Sequence, residues 1–148
     1  MYDDAYRRAV RLLGTERTFT SQLERAGRQL LGHQFGGVHA RDTLPPVLRS
    51  GRRGYVVNTD CLVDAQGGQA CGGGVHWLSV LDIDGERLMS DPLGRVGTKQ
   101  RSDLDRIHRP TWSQDDPEMP ADASTCGPRS LAALAVGLAE GKQAFLAV

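Results

Sequence analysis

Three residues of this sequence carry side chains that could together activate a nucleophile: His76, Asp91 and Cys126. An imidazole gains and loses a proton near neutral pH, and a thiol attacks carbonyl carbon once it is ionised. A carboxylate can hold an imidazole in one tautomer and stabilise its protonated form. These residue types predict nucleophilic catalysis, provided that the fold brings the three side chains together.

A predicted β-hairpin brings the first two of these residues together. Two β-prone runs, residues 75–83 and 86–90, flank an Asp-Gly dipeptide at 84–85. Asp-Gly between such runs is typical of a tight two-residue turn, and the turn fixes which residues pair. In that register His76 and Asp91 lie on the same face as diagonal neighbours, about 7–8 Å apart at the backbone.

The third residue, Cys126, lies where a polar loop gives way to an apolar helix that ends near Gly141. Pro128 favours the first turn of a helix, where its missing N–H has no partner to lose. A thiol at this end is close to unpaired N–H groups and to the positive end of the helix dipole, which lower its pKa. Gly127 leaves room for a substrate backbone to approach.

The remaining pattern predicts one α+β domain over residues 1–148, with an antiparallel or mixed central sheet packed against helices. Apolar residues at helical spacing predict a first helix that ends at Gly14. A second helix is expected to be capped by Ser21 and Glu24, with Phe19 in its buried stripe. Further short strands are predicted near Val38, at residues 55–58 and at residues 111–114.

Composition and charge give no support to several classes of function. Lysine plus arginine equals aspartate plus glutamate at 18 each, so net charge gives no argument for nucleic-acid or membrane attraction. No apolar run approaches the roughly 20 residues that span a bilayer, and the N-terminus lacks the layout of a secretory signal peptide. Three cysteines, an odd number, without an export signal predict a reducing, intracellular compartment.

These motifs resemble those of the adenovirus-type cysteine endopeptidases, the adenain family, which are related to the SUMO-specific and other ubiquitin-like-protein proteases. The family's His-Trp pair, its acidic-Pro-aromatic-Gly signature and its Cys-Gly nucleophile motif are matched in that order by residues 76–77, 91–94 and 126–127. Asp91 replaces the family's glutamate and Leu93 its aromatic residue. Papain-like and NlpC/P60-like enzymes place the cysteine before the histidine, so chain order argues against them.

The resemblance implies a papain-like core in circularly permuted order, His-Asp-Cys. In such a core Cys126 attacks a peptide carbonyl, His76 acts as base and then as acid, and Asp91 orients His76. Trp77 and Gly127 are then expected to contact substrate.

The family's oxyanion hole combines the cysteine N–H with a glutamine six or seven residues earlier, where this sequence has Pro120 and Met119. The nearest upstream glutamine is Gln114. We therefore predict Gln114 as the second oxyanion donor.

By the same resemblance, the function is expected to be that of a cysteine endopeptidase that cleaves after small residues, often glycine. The substrates would be viral capsid or core proteins undergoing maturation, in the virion or inside the host cell. Adenain is activated by a peptide and by DNA, so both are candidate partners, although the neutral charge argues against strong dependence on DNA. No cofactor, metal or membrane partner is expected.

Three alternatives remain open at the level of sequence. The chain is also compatible with a deSUMOylase-type protease and with an inactive protease-like binding protein, since the oxyanion glutamine is missing at its usual spacing. Cys61, Cys71 and His76 could instead ligate zinc in a small adaptor, although their spacing matches no common zinc module.

Overall fold

The computed structural model of the chain describes residues 1–16, 18–40, 42–58, 76–92, 106, 108–110, 112–114 (backbone only) and 125–148. Within these ranges the fold is α+β, with an open mixed sheet packed against helices. This confirms the predicted α+β class and the predicted packing of a sheet against helices.

Four α-helices and five strands lie wholly within the described residues. The helices are α1 (Tyr2–Leu13), α2 (Thr20–Leu31), α3 (Cys126–Glu140) and α4 (Lys142–Leu146). The strands are β1 (Phe35–Ala40), β2 (Arg52–Asn58), β3 (Trp77–Ile83), β4 (Glu86–Ser90) and β5 (Trp112–Gln114). None of the helices in these ranges combines the length and the apolar character needed to cross a membrane.

The strands lie side by side in chain order, β1-β2-β3-β4-β5. The central pairs β2–β3 and β3–β4 are antiparallel, whereas β1 runs parallel to β2 and β5 runs parallel to β4. The middle strand, β3, is buried along its whole length because both faces of the sheet are covered.

Two apolar clusters cover the two faces. On one face α3 packs against β2 and β3, and its buried Leu131 and Leu134 join Val56 and Leu81 in the larger cluster. On the opposite face a smaller cluster contains the members Tyr55, Val57, Leu78, Val80 and Met89. Alternation of side chains along β3 explains the division, because successive residues of a strand point to opposite faces.

The predicted hairpin register is confirmed. Ile83 pairs with Glu86 and Ser79 pairs with Ser90, as a two-residue turn requires. Both turn residues have positive φ, 47° at Asp84 and 89° at Gly85, which is the conformation that an Asp-Gly turn of this kind adopts. Local turn chemistry therefore sets the alignment of β3 with β4.

The start of α2 differs from the prediction. The side chain that caps it is Gln22, whose Oε1 accepts the backbone N–H of Phe19 at 2.8 Å. Glu24, predicted as part of the cap, instead accepts the N–H of Val38 on β1. Phe19 is 68% exposed and so does not belong to the buried stripe. The predicted cap at Ser21 and Glu24 and the buried position of Phe19 were therefore wrong.

A buried ion pair ties a loop to the second face of the sheet. Arg87 and Asp82, paired across β3 and β4, form two hydrogen bonds of 2.7 and 2.8 Å. Arg87 also donates to the carbonyl of Pro45, and Asp82 accepts the N–H of Leu48. Because both charged groups are fully paired in a buried position, they hold this loop against the sheet.

Candidate active site

The hairpin places His76 and Asp91 at the same end of two neighbouring strands. His76 directly precedes β3, and Asp91 directly follows β4. Since Ser79 and Ser90 are the last paired residues at this end, the two side chains emerge close together. The predicted proximity of the imidazole and the carboxylate is thus present in the structure.

The two side chains are in direct contact. Nε2 of His76 lies 2.5 Å from Oδ1 of Asp91. The His76 side chain is 15% exposed and that of Asp91 is 1% exposed, so little water competes for the bond. An ionised carboxylate can only accept, so Nε2 carries the proton in this bond.

Cys126 completes the group from a different element. It is the first residue of α3, it is a free thiol, and its side chain is partly exposed. The thiol interacts with the His76 ring, and this interaction lowers the pKa of the thiol. Because Asp91 occupies Nε2, Nδ1 is the ring nitrogen that remains for the sulfur. The imidazole therefore lies between the thiol and the carboxylate.

Backbone donors also converge on the sulfur. The backbone N–H groups of Trp77 and Gly127 both interact with the Cys126 side chain and lower the pKa of its thiol. Thr125, at the N-cap position of α3, forms no side-chain cap bond, and Pro128 has no N–H. The Gly127 N–H, which an N-cap side chain could otherwise accept, is thus left to interact with the Cys126 thiol.

These contacts change the pKa values of both partners. For Cys126, burial raises the pKa, but the hydrogen bond and charge of His76 and the two backbone N–H groups outweigh burial and lower it. For His76, burial lowers the pKa, but the hydrogen bonds and charges of Asp91 and Cys126 raise it to about 9. Both directions favour a thiolate–imidazolium pair over the neutral thiol and imidazole.

Trp77 contributes its backbone to the site and its side chain to the core. The indole is 3% exposed and belongs to the larger apolar cluster. Its Nε1–H donates to the carbonyl of Thr18 at 3.3 Å. Burial thus gives the indole a structural role, and the predicted contact of Trp77 with substrate stays a prediction.

Gly127 packs against a residue that the sequence did not single out. A Cβ at Gly127 would lie 2.4 Å from Oγ1 of Thr18, which is far inside contact distance. Thr18 is 4% exposed and also holds the Trp77 indole through its carbonyl. Thr18 therefore contacts the neighbours of both His76 and Cys126. No sequence motif marks it, because the contact joins residues that are far apart in the chain.

Gln114 lies on the strand next to Asp91. The backbone of Gln114, the last residue of β5, pairs with Ser90, which directly precedes Asp91. This position is at the same end of the sheet as His76. The side chain of Gln114 lies outside the described residues, so its role as oxyanion donor stays a prediction.

Other predicted features also lie outside the described residues. These are Cys61, Cys71, Leu93, Gly94, Met119 and Pro120. In the part of the chain that is described, no group of three histidine, cysteine or acidic side chains could hold a metal ion. The zinc hypothesis depends on Cys61 and Cys71, so it remains untested.

The arrangement contains the parts needed for attack on an electrophilic carbon. It combines a partly exposed nucleophile of lowered pKa, a proton donor and acceptor beside it, and a buried carboxylate that orients the imidazole. This is the order of contacts that acyl transfer through a thioester requires. No protein-family model matches the sequence, and no curated protein is significantly similar to it.

Proposed function

We propose that the chain is a cysteine endopeptidase with Cys126 as nucleophile, His76 as general base and acid, and Asp91 as the residue that orients His76. The observation that supports this most directly is that one imidazole hydrogen bonds to the buried carboxylate and also interacts with the Cys126 thiol, so that the pKa values of both thiol and imidazole are shifted. A structural histidine needs only one such partner. A histidine that also lies beside a cysteine of lowered pKa can pass a proton to a leaving group.

In the first half of the reaction, the Cys126 thiolate attacks the carbonyl carbon of the scissile peptide. A C–S bond forms, and the carbonyl π electrons move to oxygen. The imidazolium of His76 then donates its proton to the amide nitrogen as the C–N bond breaks. The amine leaves and a thioester remains on Cys126.

In the second half, neutral His76 takes a proton from water, and the resulting hydroxide attacks the thioester carbon. The C–S bond breaks, the carboxylic acid leaves, and thiolate and imidazolium are restored. In both halves negative charge develops on the carbonyl oxygen. The Cys126 N–H at the start of α3 and the Gln114 side chain are the proposed donors to that oxygen.

The proposed enzyme type is adenain-like, with a papain-like core in permuted order. Support comes from the order His76, Asp91, Cys126, combined with a site built from a hairpin and the start of a helix. On this basis the substrates are proteins cleaved after small residues such as glycine. We propose viral capsid or core proteins as substrates, processed in the virion or inside the host cell, with DNA or a peptide as candidate activators.

The alternatives differ in measurable ways. A ubiquitin-like-protein protease would cleave a ubiquitin-like fusion in preference to short glycine peptides. An inactive relative would react with alkylating reagents at Cys126 yet cleave nothing. A zinc adaptor would bind about one equivalent of zinc and lose it when Cys61 and Cys71 were both replaced.

The test of the proposal is incubation of the wild-type protein with a library of glycine-containing peptides, read by mass spectrometry. Cleavage that disappears in Cys126→Ala and persists in Cys61→Ser and Cys71→Ser supports the assignment. Cleavage that persists in Cys126→Ala, or that is lost in a folded Cys61→Ser or Cys71→Ser variant, contradicts it.

A further inference from the structure

Arg129 lies on α3, within one helical turn of the nucleophile. Its Nε donates to Oγ1 of Thr125 at 3.0 Å, so the side chain turns back towards the start of the helix. Thr125 directly precedes Cys126. Residues three apart on a helix are neighbours on its surface, with Cβ atoms about 5–6 Å apart. The guanidinium is therefore at the end of α3 at which a substrate must meet Cys126.

Two contacts hold the guanidinium in place. The hydrogen bond to Thr125 fixes one edge, and the guanidinium carbon lies 4.9 Å from the ring centre of Tyr6 on α1. Tyr6 is itself stacked on Tyr2. Arg129 remains partly exposed. An arginine held in this way loses little additional side-chain entropy on binding a ligand, because it is already ordered.

The electrostatics of the helix end do not favour a positive charge at this position. A positive charge at the N-terminal end of a helix is opposed by the helix dipole. Among the described residues, no carboxylate forms an ion pair with Arg129. Nor is Arg129 among the groups that lower the pKa of Cys126. The guanidinium is thus held in one orientation, on a partly exposed side chain, within one helical turn of Cys126.

We propose that Arg129 binds a carboxylate of the substrate and so makes the peptidase selective for an acidic group near the scissile bond. This inference deepens the proposed function and rests on it for the identity of the substrate. A guanidinium pairs with a carboxylate through two parallel hydrogen bonds, and Nη1 and Nη2 offer that geometry. The carboxylate belongs either to an aspartate or glutamate side chain or to the C-terminus of a peptide.

The first test does not require proteolysis. Iodoacetate and iodoacetamide alkylate the same thiol, but only iodoacetate carries a carboxylate. The ratio of their rates at Cys126, iodoacetate over iodoacetamide, should fall about fivefold in Arg129→Gln. Arg129→Lys should show a smaller fall in this ratio, because the positive charge remains. Arg7→Gln removes one positive charge from α1, where Arg7 pairs with Asp4, and should leave the ratio unchanged.

Outcomes that overturn the inference are equally specific. An unchanged ratio in a folded Arg129→Gln would mean that Arg129 does not act on a carboxylate at Cys126. An equal fall in Arg7→Gln would reduce the effect to net charge, and would also overturn the inference.

The second test uses matched peptides and identifies the source of the carboxylate. At each position around the cleaved bond, glutamate is compared with glutamine, and a free C-terminus with an amidated one. Wild type should prefer one acidic form at least about fivefold in kcat/KM, and Arg129→Gln should lose the preference. Cleavage without any acidic preference overturns the inference but leaves the proposed function intact. Absence of all cleavage contradicts the proposed function, and the alkylation ratio then decides the inference alone.

Discussion

Oδ1 of Asp91 lies 2.5 Å from Nε2 of His76, in a contact from which solvent is almost excluded. A carboxylate in such a place favours the protonated imidazole strongly, because little water screens the two charges. The same imidazole contacts the Cys126 thiol. The charge state of the Cys126 thiol is therefore coupled, through His76, to the buried carboxylate of Asp91.

Replacement of the site residues should separate their roles. Cys126→Ala should abolish peptide cleavage, and His76→Ala should lower kcat/KM by about 10²–10⁴-fold or more, since proton transfer is lost. Asp91→Asn should retain measurable activity, because an amide oxygen still accepts the Nε2 proton. Steady-state kinetics on one cleaved peptide measures all three. Wild-type rates in His76→Ala would contradict the assignment.

The pH dependence follows from the two pKa shifts. His76, with a pKa raised to about 9, keeps its proton up to that pH, so kcat/KM should fall on the alkaline side as pH passes about 9. The pKa of Cys126 is lowered, so its thiol stays ionised at pH values below the ordinary pKa of cysteine. Activity should therefore fall on the acid side only when the pH is low enough to protonate the thiolate. Because the groups are coupled, the two apparent values describe the pair.

Alkylation by iodoacetamide isolates the acid limb, because it requires the thiolate and not the imidazolium. In wild type the alkylation rate should rise with pH, and the midpoint of this rise should lie below the ordinary pKa of cysteine. In His76→Ala the midpoint should move to higher pH, since the main partner that lowers the Cys126 pKa is removed. An unchanged midpoint would show that His76 does not stabilise the thiolate.

Gln114→Ala tests the oxyanion donor. The backbone of Gln114 pairs with Ser90, beside Asp91. If its amide binds the developing oxyanion, the variant should lose about 10²–10³-fold in kcat with little change in KM. Ser113→Ala, at the neighbouring position of β5, is the control and should stay near wild type. Equal kcat values for wild type and Gln114→Ala would exclude Gln114 as donor.

Gly127→Ala should disturb the nucleophile turn through Thr18. The new Cβ would meet Thr18 Oγ1 at 2.4 Å, so we expect a loss of about 1–3 kcal/mol in the free energy of unfolding and slower alkylation of Cys126. A second change, Thr18→Ala, removes the clashing oxygen and should restore much of the stability and of the alkylation rate. Thr18→Ser keeps the oxygen and should not. Urea unfolding measures the stability of each variant, and alkylation rates measure the reactivity of Cys126. Equal rescue by Thr18→Ala and Thr18→Ser would show that the Thr18 oxygen does not cause the loss.

Arg87→Met should destabilise the protein without touching the site. It leaves the buried Asp82 charge without its partner, which costs about 3–5 kcal/mol in comparable pairs. Adding Asp82→Leu should recover most of the loss, since no unpaired charge remains. Asp4→Asn breaks the exposed pair with Arg7 and should have a much smaller effect. A loss in Arg87→Met no larger than in Asp4→Asn would show that the buried pair is dispensable.

Local rules made part of the structure predictable. The Asp-Gly turn at 84–85 fixed the register of β3 and β4, because a two-residue turn leaves only one pairing. The helix ends at Gly14 and Gly141 were likewise predictable, since glycine readily adopts positive φ. The cap of α2 was not predictable, because Glu24 accepts a hydrogen bond from Val38 on β1, a partner that the nearby sequence does not indicate.

The sequence by itself determined the residue types of the candidate site and the alignment of His76 with Asp91, since both follow from chemistry and from one short turn. Only the tertiary structure decided that the start of α3 meets the start of β3, so that Cys126 reaches His76 and Thr18 lies against Gly127. These residues are joined by burial of the apolar faces of α3 and the sheet. Such burial is non-directional, so no spacing in the sequence specifies the contact in advance.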